Sequence, residues 1–256
     1  EIHERLVGSE MCIRDSCSAA QINAEIKSNL EAVHADIDAA CKRSGRDKGE
    51  VKLIAVSKTK PFEQLLAAYN AGERVFGENK VQEICAKYER IDEMPGAVFH
   101  MIGHLQTNKV RQVIDKVAMI HSVDSLHLAE TIDREAAKAG IRMDILIEVN
   151  VAGEDSKFGI ACDETEKLVR ECAKLDNVHV CGLMTIAPFV EDSEQNRQVF
   201  KNLKQLCVDL KAKNIDNTDM DVLSMGMTGD YQVAIEEGAT MIRVGTGIFG
   251  ARNYNV

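Results

Sequence analysis

From residue 22 onward the apolar positions follow two distinct periods. Ile22, Ile26, Leu30, Val33, Ile37 and Cys41 recur at steps of four, four, three, four and four. That spacing places them on one stripe of an amphipathic helix, and Ser44-Gly45 offers its C-terminal stop. Beyond it, short apolar runs occupy 51–56, 74–76, 98–102, 117–120, 143–151, 178–184, 220–223 and 240–244. Continuous runs of this length read as strands covered on both faces. Helical stretches separate them at 62–71, 80–90, 126–139, 163–175, 194–213 and 231–237. Strands alternating with helices imply right-handed βαβ units and a parallel sheet. Eight such units in about 200 residues predict an α/β fold, a single (β/α)8 barrel of the TIM type with an extra N-terminal helix. A doubly wound open sheet is the alternative, because the pattern does not itself show closure.

The barrel is expected to fill residues 17–256 as one domain. Residues 1–16, EIHERLVGSEMCIRDS, lack the helical period and also lack the basic-then-apolar layout of a secretory signal. They read as an extension outside the domain, either an artefact or a short native tail.

Composition narrows the function. Lys and Arg total 31 against 41 Asp and Glu, a net charge of −10. An acidic chain is a poor general nucleic-acid binder, since phosphate neutralisation needs a basic face. No apolar run approaches the roughly 20 residues of a membrane span. The eight cysteines contain no C-x-x-C pair and are too sparse for a disulfide framework, which points to the reducing cytoplasm. The histidines follow no metal-binding pattern, so no metal is expected.

In a barrel of this kind the chemistry sits at the strand C-termini. Ser57-Lys58-Thr59 follow the first run, Gly77-Glu78-Asn79 the second and Gly103-His104 the third. Ser224-Met225-Gly226-Met227 follow the seventh and Gly245-Thr246-Gly247 the eighth. Lys58 emerges from an apolar strand, where desolvation would lower its pKa and free its lone pair for Schiff-base chemistry; an ordinary exposed lysine is the plain alternative. The loops after strands 7 and 8 stand where barrels often bind phosphate, with Gly backbone N–H groups and Ser224 and Thr246 hydroxyls as donors. Arg243, two residues before the last loop, can point inward, toward either a ring nitrogen or anion, or an acidic neighbour. His100 and His104 have no evident partner and read as core or loop residues. Cys181 and Met184 read as core.

Six segments carry a resemblance: AVSKTKP (55–61), FGENKVQE (76–83), FHMIGHLQTNK (99–109), EDSKFGI (154–160), GLMTIAP (182–188) and LSMGMTGDYQVAIEEGATMIRVGTGIFGARNY (223–254). Together and in this order they resemble the pyridoxal phosphate homeostasis protein family, itself similar to the N-terminal barrel of alanine racemase. The resemblance implies a barrel holding pyridoxal 5′-phosphate. Lys58 matches the lysine that carries the cofactor as a Schiff base, and Asn79 a cofactor-contacting residue. Ser224, Gly226, Gly245 and Thr246 match the phosphate cradle, Met225 counts among the cofactor-binding residues, and Arg243 matches the arginine facing the pyridine nitrogen. His104, Thr107, Thr228 and Gly247 stand as variants of the family pattern. The implied role is a cytoplasmic, monomeric carrier and regulator of the vitamin B6 cofactor, without established turnover. Apoenzymes that require the cofactor are candidate recipients; no nucleic acid or membrane partner is implied. The alternative is a weak pyridoxal-dependent amino-acid racemase, in which Lys157 or His104 replaces the acid/base group of a second domain that a chain ending at 256 leaves no room for.

Overall fold

A computed structural model describes residues 3–154 and 158–251, with side chains from residue 19 onward. The strands are β1 (Lys52–Val56), β2 (Val75–Glu78), β3 (Val98–Met101), β4 (Val117–Val123), β5 (Met143–Glu148), β6 (Val178–Met184), β7 (Thr218–Met227) and β8 (Met241–Val244). The helices are α1 (His3–Ser44), α2 (Phe62–Asn70), α3 (Val81–Tyr88), α4 (Val110–Val113), α5 (Leu126–Ala139), α6 (Cys162–Cys172), α7 (Arg197–Ala212), α8 (Tyr231–Glu236) and α9 (Thr246–Phe249).

The open-sheet alternative is excluded. The eight strands follow sequence order around a closed barrel. β1 pairs in parallel with β8 through Lys52↔Met241, Leu53↔Ile242, Ile54↔Arg243 and Ala55↔Val244. Closure puts Ile54, Met119, Leu146, Cys181, Met184 and Met241 together inside the barrel, apart from the larger core between strands and helices. Cys181 and Met184 thus pack in the interior.

α1 continues the predicted stripe: Ile26, Leu30, Val33, Ile37 and Cys41 are buried, and only Ile22 at the start of the stripe is exposed. The helix lies across α2, α8 and α9. Its end is a Schellman turn, with Gly45 at φ +69° and Arg46 N–H donating to the Cys41 carbonyl at 2.9 Å. Asn29 donates to the Ile248 carbonyl at 3.0 Å, tying α1 to the last turn beside the barrel mouth. The backbone of α1 starts at His3, inside the stretch read as an extension.

Four C-terminal strand ends depart by two or more residues from the sequence expectation; β5 stops early, at Glu148 instead of 151, where Val149 and Asn150 pair with Ile160. β2 runs on through Gly77 and Glu78, since Ser57 N–H still pairs with the Gly77 carbonyl. β4 runs on through His121 and Ser122, polar residues that its sequence pattern does not show as strand. β7 extends to Met227, four residues past the expected end. Ser224, Met225 and Gly226 are therefore strand residues, not a loop after the strand.

Candidate functional site

Lys58, Asn79, Arg243, Gly245 and Thr246 converge on one cavity of about 560 Å³ at the C-terminal mouth of the barrel. Ile186, Pro188 and Phe189, after β6, form the facing lip, with Phe189 almost wholly exposed. Thr228 completes the floor of the β7 and β8 side. Its hydroxyl accepts from Gly245 N–H at 3.3 Å and Gly247 N–H at 3.4 Å, so the two turns are joined to each other. Thr228 was only a family variant in the sequence. Once β7 is seen to end at Met227, it becomes the first residue of the loop.

Arg243 is buried, and burial lowers its pKa to about 10, against the fields of Glu148 and Asp230. Its guanidinium donates to Ser224 Oγ at 2.5 Å and to the Thr185 carbonyl at 2.8 Å. Ser224 Oγ lies 3.0 Å from His121 Nδ1, and His121 Nε2 lies 2.9 Å from His100 Nδ1. We assign the hydrogens so that the wholly buried hydroxyl is used: Arg243 donates to Ser224, Ser224 to His121, and His121 to His100. Both rings are then neutral. Burial supports this, lowering His100 to about 4 and His121 well below its ordinary value.

The structure sets the Ser224 side chain in this network, apart from the cavity-lining residues. Its hydroxyl faces Arg243 and His121 inside the barrel rather than the cavity, because β7 continues past it. Met225 packs in the core. Gly226 has φ +89°, and a Cβ there would stand 2.6 Å from Ala234 Cβ and 2.9 Å from Tyr231 Cα. Its part is to let α8 pack against β7. His100 and His104 also separate. His100 belongs to the buried chain, whereas His104 stacks on Phe158 with ring centroids 4.1 Å apart and is not among the cavity's lining residues. Lys157 lies outside the described residues.

The turn that presents Lys58 is held from below. Thr59, a β-branched residue, sits at φ +65°, a conformation costing on the order of 1–3 kcal/mol. Its N–H donates to Glu83 Oε2 at 2.6 Å. Lys87 reaches from α3 beneath it and donates to the Ser57 carbonyl at 2.8 Å and to Glu78 Oε1 at 2.5 Å. Ser57 Oγ donates to the same Glu78 oxygen at 2.6 Å. Glu78 is fully buried, and burial pushes its carboxyl up against the pull of Lys87. The sequence singled out Glu78 only by position and missed Lys87, since an i, i+4 lysine on a helix normally reads as solvated.

The comparisons with known proteins fit this geometry. The sequence profile described as alanine racemase, N-terminal domain, matches residues 28–253. A pyridoxal phosphate homeostasis protein of Aquifex aeolicus is 44% identical over 225 residues, covering 88% of this chain and 97% of that protein. The chain belongs to this family. A solved structure of an unknown protein from Bifidobacterium adolescentis superimposes with a TM-score of 0.84 at 38% identity, covering 90% of this chain and 96% of that one. The structure of PipY from Synechococcus elongatus PCC7942 with PLP bound gives a TM-score of 0.77 at 34% identity, covering 88% of this chain and all of PipY. Among the described residues no helix is long and apolar enough to cross a membrane.

Two outcomes test the site's supporting structure. Lys87→Met leaves Glu78 buried without its cation, so urea unfolding should show a loss of about 3 kcal/mol or more. Glu78→Gln in the same chain should recover part of that loss; simple additivity would show that the pair is not coupled. The second concerns Glu148, whose carboxyl is raised to about 7, first by burial and then by the Asp124 charge, with Arg243 opposing. The folded chain therefore holds a proton there that the unfolded chain has released, and stability falls as pH rises from about 4.5 to about 7. The two lowered histidines act with the opposite sign, losing stability as pH falls below about 6.5. Comparing wild type with Glu148→Gln isolates the carboxyl. The variant should gain relative stability between pH 5 and pH 8, and a pH-independent difference would refute the assignment.

Proposed function

We propose that this chain binds pyridoxal 5′-phosphate at the barrel mouth, holds it covalently through Lys58, and serves as a carrier and regulator of the cofactor rather than as an enzyme. The observation that carries this reading is the convergence on one cavity of a lysine, a buried arginine and two hydroxyl-bearing turns with glycine. The family's relatives bear the name of pyridoxal phosphate homeostasis proteins, and PipY has been solved with the cofactor.

The residues suit such a ligand. Lys58 supplies an amine. Thr228, Gly245 and Thr246 supply hydroxyl and N–H donors for a phosphate. Asn79, half-buried on the lining, supplies an amide. Asn196 is buried at the cavity wall, and its Oδ1 has no hydrogen-bond partner among the described residues. Ser224, Met225 and Gly226 serve from behind: Ser224 aims Arg243, and the other two fix β7.

When bound, pyridoxal phosphate supplies an aldehyde for amines and an electron-withdrawing ring. Arg243 is the reason to favour carriage. A guanidinium has N–H donors and no acceptor, so it cannot share a proton with a ring nitrogen as a carboxylate can. A ring left unprotonated is a weaker electron sink, which disfavours carbanion chemistry on an amino acid. The racemase alternative gains nothing from His104, whose ring is stacked on Phe158. We place the protein in the cytoplasm as a monomer, with apoenzymes that require the cofactor as recipients.

Borohydride reduction of the cofactor-loaded protein, followed by peptide mass spectrometry, should find a pyridoxyl adduct on Lys58. The Lys58→Ala protein should lack both the adduct and the visible cofactor absorbance; an unchanged band there would sink the assignment. Carriage without turnover is tested by incubating loaded protein with several amino acids in heavy water. Deuterium uptake at the α-carbon should not exceed that of free pyridoxal phosphate. Uptake well above that level, lost in Lys58→Ala, would establish the racemase instead.

A further inference from the structure

The opposite end of the barrel carries a second cluster that the cofactor site does not use. Asp144 and His179 are paired in register near the starts of β5 and β6. Cys181 follows His179 by two residues on β6, and so shares its face of the strand. One ligand atom from each of Asp144, His179 and Cys181 lies within 4.8 Å of the other two. His179 Nδ1 is 3.0 Å from Asp144 Oδ1 and 3.4 Å from Cys181 Sγ. Around a tetrahedral zinc ion the same N···O and N···S separations come to about 3.4 and 3.6 Å, from Zn–N and Zn–O bonds near 2.1 Å and a Zn–S bond near 2.3 Å. The two separations from the ring nitrogen need to open by only a few tenths of an ångström, and the carboxylate oxygen and sulfur lie within 4.8 Å of each other.

A fourth residue supplies the support that such sites use. His179 Nε2 faces Asp219 Oδ2 at 3.2 Å from the start of β7. A metal-bound histidine normally gives its other N–H to a carboxylate, which turns its free lone pair toward the ion. An imidazolium bridging two aspartates would account for Asp144 and Asp219. Without an ion the Cys181 thiol donates to Asp144 or to the His179 carbonyl; with an ion bound, its sulfur joins the ring nitrogen and the carboxylate as a third donor converging on one point. A soft thiolate, an imidazole and one carboxylate form a donor set suited to zinc. Asp144 is partly exposed, which gives the ion a path from solvent, while Cys181 is buried.

We propose that Asp144, His179 and Cys181 bind one zinc ion at the N-terminal end of the barrel, with water as the fourth ligand and Asp219 as the positioning carboxylate. As the Zn–S bond forms, the Cys181 thiol proton leaves to solvent and no electrons are transferred. The ion joins β5 to β6 and, through Asp219, to β7. This end of a barrel serves stability rather than catalysis, so the expected benefit is to the fold.

The test uses the full, cofactor-saturated chain in reducing, chelator-free buffer, with cobalt(II) and zinc as probes. Difference spectra on adding cobalt should show thiolate charge-transfer absorption and the intense d–d bands of a tetrahedral site, both removed by one equivalent of zinc. Cys181→Ser should abolish the charge-transfer absorption. Asp219→Asn, a change at an exposed position, should keep the spectrum while weakening zinc about 10- to 100-fold. Zinc should raise the melting temperature of wild type and not that of His179→Gln. The proposal fails if cobalt gives only a weak octahedral spectrum, if the thiolate absorption persists in Cys181→Ser, or if zinc stabilises His179→Gln as much as wild type.

Discussion

A buried guanidinium at the cavity wall is the constraint around which the site is organised. Arg243 is almost wholly buried, so the N–H groups turned into the barrel wall need acceptors there. Two donations, to Ser224 Oγ and the Thr185 carbonyl, fix its plane. The first propagates: Ser224 is engaged by Arg243, His121 by Ser224, and His100 by His121. A proton added to His121 would leave its Nδ1 unable to accept the Ser224 hydrogen. Histidines held neutral by burial are thus a condition for the arginine's orientation, and they explain polar residues in a strand as buried as β4.

The second constraint is local strain beside Lys58. A threonine at positive φ persists only where its surroundings over-determine it. Here Glu83 takes the Thr59 N–H, and Lys87 takes the Ser57 carbonyl one residue before Lys58. Lys60 Nζ donates to the Phe249 carbonyl at 2.7 Å, which ties the same turn to α9. The lysine is therefore set between two anchored neighbours, and the turn is locked to β2, α3 and α9 together. Precision at Lys58 comes from residues that do not line the cavity.

The order of strands and helices was legible because a parallel barrel covers both faces of each strand, and apolar runs report that directly. The 126–139 helix matches α5 in both bounds. Lys58, Asn79, Arg243, Gly245 and Thr246 were legible as strand-end residues in a fold whose chemistry lies there. What stayed hidden was polar structure inside the barrel. His121 and Ser122 look like the end of a strand, yet β4 continues through them. Ser224 looks like a loop donor, yet it sits one turn of pleat inside. Lys87 looks solvated, yet it is buried under a turn far away in sequence. In each case the pattern of apolar residues carries no record of a polar partner on another strand. The alternation His179-x-Cys181 escaped notice for the same reason, since its third member lies on β5.

Charge bears on the same buried arginine. Lys58 and Arg243 line one cavity, and the carboxyl of Glu148, whose field acts on Arg243, is raised to about 7 by burial and the Asp124 charge. Below about pH 7 Glu148 is largely protonated, and Asp230 is the other carboxylate whose field acts on Arg243. Above it the ionised Glu148 adds its own field. The field felt by Arg243 therefore depends on pH near neutrality, through a carboxyl buried in the same barrel.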